Sequence, residues 1–296
     1  MTQNALSLAT DAQARQAARP QLSFEFFPPA TEAGRERLLR ETLPALQTLG
    51  PEFVSCTYGA GGSTREATFG IVSAIHRAGV EVAPHLSFGA DDAATVGALL
   101  DAYQEQGIKR LVALRGDSPS GTGGSGLAHA VKLVEFARER HGAHFRIAVA
   151  AYPEVHPQAR DYSSDVHFLK AKLDAGADFA ITQYFYNADA YFHFIEQCAA
   201  AGITKPIYAG IMPITNYTQL ARFSRFCGAE IPRWICRRLE DFGADTDSLR
   251  GFGIEVVTRL ARTLLEQGCP GLHFYTMNQP GPSRSIVRNL KLEPAA

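Results

Sequence analysis

Glu25 stands in the run L-S-F-E-F-F-P-P, between Phe24, Phe26 and Phe27 and just ahead of Pro28 and Pro29. The run is too short for a helix and reads as a buried strand, so its carboxyl group lies in apolar surroundings close to a strand end. Desolvation favours the protonated carboxyl over the carboxylate, and a carboxyl that keeps its proton near neutral pH is suited to general acid catalysis. Other polar residues fall at the ends of similar apolar runs: Thr57, Tyr58, His85, Arg115, Asp117, Tyr152, Gln183 and Asn278. One such residue ordinarily caps a helix or satisfies a buried backbone group. This many in register point to a shared site, because burying them unpaired is costly.

Other chemistries fit the residues less well. A Schiff-base lysine should project from a strand end, but Lys109 opens its strand and Lys170 and Lys172 fall in a helical stretch. Metal-dependent hydrolysis needs clustered histidines and carboxylates. His85 is the lone histidine of its run and His156 sits in a loop pair with Pro157, so no metal site is expected. The A-G-G-S-T loop from Ala60 could cradle a phosphate through backbone N–H groups, a weak signal by itself.

The elements that position these residues are eight short runs rich in strand formers. They begin at Leu22, Phe53, Glu81, Arg110, Phe145, Phe179, Pro206 and Leu272 and alternate with amphipathic stretches, several ending at glycine. Their apolar character on both faces suits parallel strands buried between a core and a layer of helices. Eight strand–helix units predict a (β/α)8 barrel, with an open doubly wound sheet as the competing arrangement. A barrel places chemistry at the C-terminal ends of its strands, where these polar residues lie. Residues before about Arg19 read as an extra helix, and I-P-R-W-I-C-R-R-L-E-D-F from Ile231 as a helical insertion before the last helix–strand pair. No linker or shift in charge divides residues 1–296, which are read as one domain.

The 296 residues are 46% hydrophobic and 20% charged, with a formal net charge of -1. That balance argues against nucleic acid or an acidic membrane as a partner recognised through bulk charge. No apolar stretch is long enough to span a bilayer, and the first residues lack the basic start and apolar core of a secretion signal. Cys56, Cys198, Cys227, Cys236 and Cys269 are odd in number and widely spaced, the pattern of reduced thiols in a cytoplasmic protein.

Taken together, S-F-E-F-F-P-P, T-Y-G-A-G-G-S-T, L-R-G-D, Y-P-E-V-H-P, I-T-Q-Y-F-Y and H-F-Y-T-M-N resemble the methylenetetrahydrofolate reductase family in its short bacterial form, over about Gln21–Asn278. The resemblance implies a barrel that holds FAD and reduces 5,10-methylenetetrahydrofolate to 5-methyltetrahydrofolate with NADH or NADPH in ping-pong order. It leans towards NADH and towards a homo-oligomer. Glu25 matches the family's general acid, Asp117 the aspartate beside flavin and pterin, and Gln183 the glutamine that bonds the pterin and faces the nicotinamide. Gln219 and Phe223 match positions that contact substrate or nicotinamide. Thr57, Tyr58, Ala60, His85, Arg115, Gly116, Asp117, Tyr152, His156, Ala159, Asp165 and Lys172 match positions that contact FAD.

Three of these matches have a plainer reading beside them. His156 and Asp165 could be a loop residue and a helix cap, and Phe223 could be core. Where the family usually has a folate-binding arginine, this chain has Gln279, with Arg284 and Arg288 as candidate substitutes. Two other functions fit parts of the pattern: a methyltetrahydrofolate methyl transferase, which would bind folate without flavin, and a non-catalytic flavin- or folate-binding homologue.

Overall fold

The computed structural model describes residues 19–58, 65–89, 92–115 and 130–294. Among these the chain alternates strand and helix. The strands are β1 (Gln21–Phe26), β2 (Phe53–Cys56), β3 (Val82–Leu86), β4 (Arg110–Ala113), β5 (Arg146–Ala151), β6 (Phe179–Tyr184), β7 (Ile207–Ile211) and β8 (Gly271–Tyr275). Every adjacent pair is parallel, and β8 pairs with β1 to close the barrel. That closure decides against the open sheet. The apolar runs locate all eight strands, with ends that shift by one or two residues. The expected N-terminal helix lies outside the described residues.

Between β1 and β2 lie α1 (Glu32–Arg37), a π-helical turn over Leu38–Thr42 and α2 (Leu43–Gln47). The sequence pattern reads there as one uninterrupted helix. Pro44 has no N–H to continue the ladder. The chain widens instead, and the Leu43 N–H donates to the Leu38 carbonyl. The remaining helices are α3 (Arg65–Arg77), α4 (Ala93–Glu105), α5 (Ala130–His141), α6 (Tyr162–Asp174), α7 (Ala188–Ala200), α8 (Tyr217–Cys227), α9 (Arg233–Asp241), α10 (Thr246–Glu266) and α11 (Pro280–Asn289). The expected insertion is α9. None of the helices in the described residues is long and apolar enough to cross a membrane.

Side-chain alternation divides the apolar residues into two bodies. Leu22, Phe24 and Phe26 of β1 and Leu272 and Phe274 of β8 join the shell between sheet and helices. A smaller cluster of Phe53, Ala83, Val112, Ala148, Phe179, Ile181 and Tyr208 fills the barrel itself. At its N-terminal end the barrel is closed by charge and aromatics together. Arg110 and Arg146 both pair with Glu52, and their guanidinium groups lie 4.9 and 5.0 Å from the ring centres of Phe53 and Phe179. The opposite end carries the polar residues that could do chemistry.

Candidate active site

Glu25 follows from the alternation of β1. With Leu22, Phe24 and Phe26 facing the helices, Ser23 and Glu25 face the interior. The Glu25 side chain is only 9% exposed, and two imidazoles converge on its Oε2 atom. His85 Nε2 of β3 lies 3.4 Å away and His273 Nε2 of β8 lies 3.5 Å away. His273 is further tied to Ser23, its partner in the β1–β8 register, with Nδ1 2.7 Å from the serine Oγ. His85 Nε2 is buried and makes no hydrogen bond. Burial holds the His85 imidazole below its ordinary pKa; Glu25 opposes that shift and His273 adds to it.

The main chain around Glu25 is fixed from β8. Thr276 Oγ1 donates to the Glu25 carbonyl at 2.6 Å. The Phe27 N–H donates to Asn278 Oδ1, and Asn278 Nδ2 donates to the Phe27 carbonyl, at 3.0 and 2.8 Å. Met277 and Asn278 both take left-handed backbone angles, φ 52° and 56°. The sequence places Asn278 among residues that could face a ligand. Its carboxamide is instead spent on holding the end of β1.

Tyr275 extends the floor of the site. Its hydroxyl donates to the Thr182 carbonyl at 2.7 Å, so its ring crosses β7 at Gly210. A Cβ built on Gly210 would lie 2.8 Å from that ring and would collide with the Thr182 carbonyl oxygen. Only glycine leaves room there. Next along β6, Gln183 is partly exposed and its Oε1 accepts the N–H of Tyr184 at 3.0 Å.

Gln219 and Phe223 sit one turn apart on α8, whose first turn is capped by Asn216 Oδ1 accepting the Gln219 N–H at 2.8 Å. The helix is pinned to β6 where Ser224 Oγ meets the Tyr184 hydroxyl at 3.0 Å. Phe223 is half-buried and lies outside the apolar shell that takes in Leu220, so packing does not account for it.

The residues matched to a flavin site spread over the ends of β2 to β5 and along α6. Thr57 is buried with Oγ1 unbonded, Tyr58 is half-buried and Arg115 is exposed. Tyr152 packs edge-on against His156, with ring centres 4.5 Å apart. The His156 N–H donates to Asp165 Oδ2 at 2.8 Å and its carbonyl accepts the Ala159 N–H at 2.8 Å. Asp165 therefore holds the loop at His156, while the cap of α6 is Asp161. Burial raises the Asp165 carboxyl above its usual range, against the His156 N–H and Lys172, which both lower it. Lys172 is half-buried and donates to the Ala150 carbonyl at 2.5 Å. Desolvation pulls its pKa down to about 8, with Asp165 opposing. Ala60, Gly116 and Asp117 lie outside the described residues.

Gln279 is exposed at the N-terminus of α11. Arg288, one of the two candidate replacements for the missing arginine, is paired with Glu293 at 2.9 Å. Arg284 is half-buried and its Nε is unbonded. Among the described residues no group of three or more His, Cys, Asp and Glu side chains has the geometry to hold a metal ion.

Sequence reasoning gave no role to Ser23, His273 or Tyr275. The signal was present in part, since Ser23 shares the parity of Glu25 on β1, and His273 that of Tyr275 on β8. What joins the two pairs is the β1–β8 register, which exists only in the closed barrel.

A closed parallel barrel with a buried, imidazole-flanked carboxyl at the C-terminal ends of its strands belongs to the (β/α)8 class. Residues 10–291 match the family model for methylenetetrahydrofolate reductase. The chain is 37% identical over 277 residues to 5,10-methylenetetrahydrofolate reductase of Pectobacterium carotovorum, covering 93% of this chain and 92% of that one. It is 38% identical to methylenetetrahydrofolate reductase (NADH) 1 of Arabidopsis thaliana, covering 91% of this chain and 48% of that longer one. The chain belongs to the methylenetetrahydrofolate reductase family. Among solved structures, an uncharacterised protein from Clostridium thermocellum that binds two copies of 5-methyl-5,6,7,8-tetrahydrofolic acid shares the fold. It has a TM-score of 0.66 at 17% identity over 96% of this chain and 97% of that one.

Proposed function

We propose that this barrel reduces 5,10-methylenetetrahydrofolate to 5-methyltetrahydrofolate, with NADH or NADPH as reductant and FAD as the bound redox group. The observation that carries the reading is Glu25. It is a carboxyl buried at a strand end, with its main chain held by Thr276 and its Oε2 faced by two imidazoles. Opening the substrate's five-membered ring requires a proton on the bridging nitrogen as its C–N bond breaks. The methylene carbon becomes an iminium on the other nitrogen and then accepts hydride. Glu25 is placed to supply that proton as the general acid.

The residues at the ends of β2 to β5 suit a flavin. Thr57 offers a buried, unpartnered hydroxyl, and Lys172 and Arg115 offer positive charge for a diphosphate. Tyr58, His85, Tyr152, His156 and Ala159 would line the same arc, and the family pattern adds Ala60, Gly116 and Asp117 to the flavin contacts. A flavin held by these residues would supply the means of moving hydride from nicotinamide to folate. Asp117 would place negative charge beside the pterin. Gln183 would hydrogen-bond it, while Gln219 and Phe223 would frame whichever ring system is present. Exposed Phe226 and Trp234, on neighbouring helices, favour a homo-oligomer, and the five free cysteines suit a reducing, cytoplasmic setting.

The visible spectrum of the purified protein tests this reading. A yellow protein that bleaches with NADH or NADPH and regains its colour with methylenetetrahydrofolate supports it. A colourless protein that binds folate without flavin overturns it in favour of methyl transfer.

A further inference from the structure

Resting on that reading, we infer that Ser23 and His273 form a positioning pair that fixes which oxygen of Glu25 carries the proton. Glu25 has two oxygens and the reaction uses one proton, so an acid free to carry it on either oxygen would often present the wrong one. His273 is 1% exposed and its Nε2 faces Oε2 at 3.5 Å, a long contact of the kind that tightens when substrate binds. Its tautomer decides what that contact does. A neutral imidazole has one N–H donor and one acceptor, so the partner of Nδ1 sets the character of Nε2.

The partner of Nδ1 is Ser23 Oγ at 2.7 Å, itself 1% exposed and without a second hydrogen-bond partner among the described residues. The serine has a single hydrogen to place, and giving it to Nδ1 leaves Nε2 as the N–H. Nε2 then donates to Oε2, which stays the carbonyl oxygen, and the proton is left on Oε1. As Glu25 gives that proton up, negative charge grows on the carboxylate and the Nε2–H contact strengthens. That interaction is worth more in the transition state than before it.

The other groups around Glu25 cannot take over this role. His85 reaches the same oxygen at 3.4 Å, but its Nε2 makes no hydrogen bond there. Burial keeps the Cys56 thiol and the Tyr275 phenol, the other ionisable groups that feel Glu25, in their neutral forms. Ser23 and His273 touch no reacting atom. Their action is through Glu25.

Two measurements test the inference separately from the proposed activity. In the free protein, the side-chain nitrogen NMR signals of His273 should show a pyrrole-like Nε2 and a pyridine-like Nδ1. The reverse assignment overturns the proposal whatever the enzyme does. In rapid-reaction kinetics, His273→Asn removes the donor at the Nε2 position and should slow folate reduction about 10- to 100-fold. His273→Gln returns an amide N–H near that position and should recover most of the rate, while Ser23→Ala should fall between them. Each variant should shift the pH profile of the folate step and leave the nicotinamide step as the internal reference. Equal loss in both steps, or no rescue by glutamine, assigns His273 to packing and overturns the inference. If Glu25→Gln itself leaves folate reduction intact, the proposed function fails, and the tautomer assignment still stands or falls alone.

Discussion

Asn278 grips Phe27 at both its N–H and its carbonyl, 251 residues away along the chain. Strand β1 thus ends under the control of the segment after β8, two residues beyond Glu25. With Thr276 on the Glu25 carbonyl, this clamp sets where the carboxyl group can reach.

Asn278→Ala should therefore cost more than a surface truncation. Two hydrogen bonds are lost and part of Phe27 is left unsatisfied, about 1–3 kcal/mol by urea unfolding. Folate reduction should drop further than nicotinamide oxidation because Glu25 loses its aim. Stability and both half-reactions matching the parent protein would show that the clamp is incidental.

Glu25→Gln keeps the shape and removes the proton. Flavin reduction by NAD(P)H should persist while folate reduction falls about 100- to 10,000-fold. Stopped-flow traces in which both steps fall together would make Glu25 a structural residue.

The Lys172 amino group, brought down to about 8 by burial, gives pH a direction. A diphosphate binds the ammonium form, so FAD affinity should be flat below pH 8 and weaken up to tenfold per unit above it. Lys172→Met should bind more weakly and lose that limb. The stability of the flavin-free protein should move the opposite way. The unfolded chain keeps this proton up to about 10.5 and the folded one only to about 8, so folding gains as pH rises between them. Titrating FAD affinity and melting temperature over the same range checks both signs.

Gly210→Ala should destabilise the barrel by roughly 1–3 kcal/mol, because the added methyl group meets the Tyr275 ring and the Thr182 carbonyl. Tyr275→Phe removes the hydrogen bond and relieves none of the crowding, so a double mutant no better than Gly210→Ala is expected in chemical denaturation.

At α11, Arg284 is the better candidate for the charge that Gln279 does not supply, since Arg288 is already engaged by Glu293. Arg284→Ala should raise the apparent KM for methylenetetrahydrofolate, and Gln279→Arg should leave it flat or worse. A charge-assisted bond in place of a neutral one is worth about 1 kcal/mol, roughly fivefold. A fivefold gain from Gln279→Arg, with Arg284→Ala neutral, would reverse the assignment.

The strands were legible because parallel strands buried on both faces leave unbroken apolar runs, and Glu25 was legible because a charge interrupts one. The π turn before Pro44 was not, since helical periodicity over Glu32–Gln47 barely registers one extra residue per turn. Asn278 was misread because a side chain that satisfies backbone groups and one that awaits a ligand look alike at a strand end. Asp165 was open for the same reason, and its bond to the His156 N–H gives it a local task. Ser23 and His273 show the limit most clearly. Each sits at an ordinary inward position, and only the register of the first strand with the last makes them a pair.

That register also places the site in time. Ser23 and His273 are 250 residues apart, and the bonds from Thr276 and Asn278 to β1 span 251. Such long loops close late, after local strand–helix units have formed. The carboxyl group is made well before β8 but acquires its surroundings only when that last strand docks. Closing the ring and completing the surroundings of Glu25 are one event, so under the proposed function a chain stalled or clipped before β8 is expected to hold most of the fold's residues and reduce no folate.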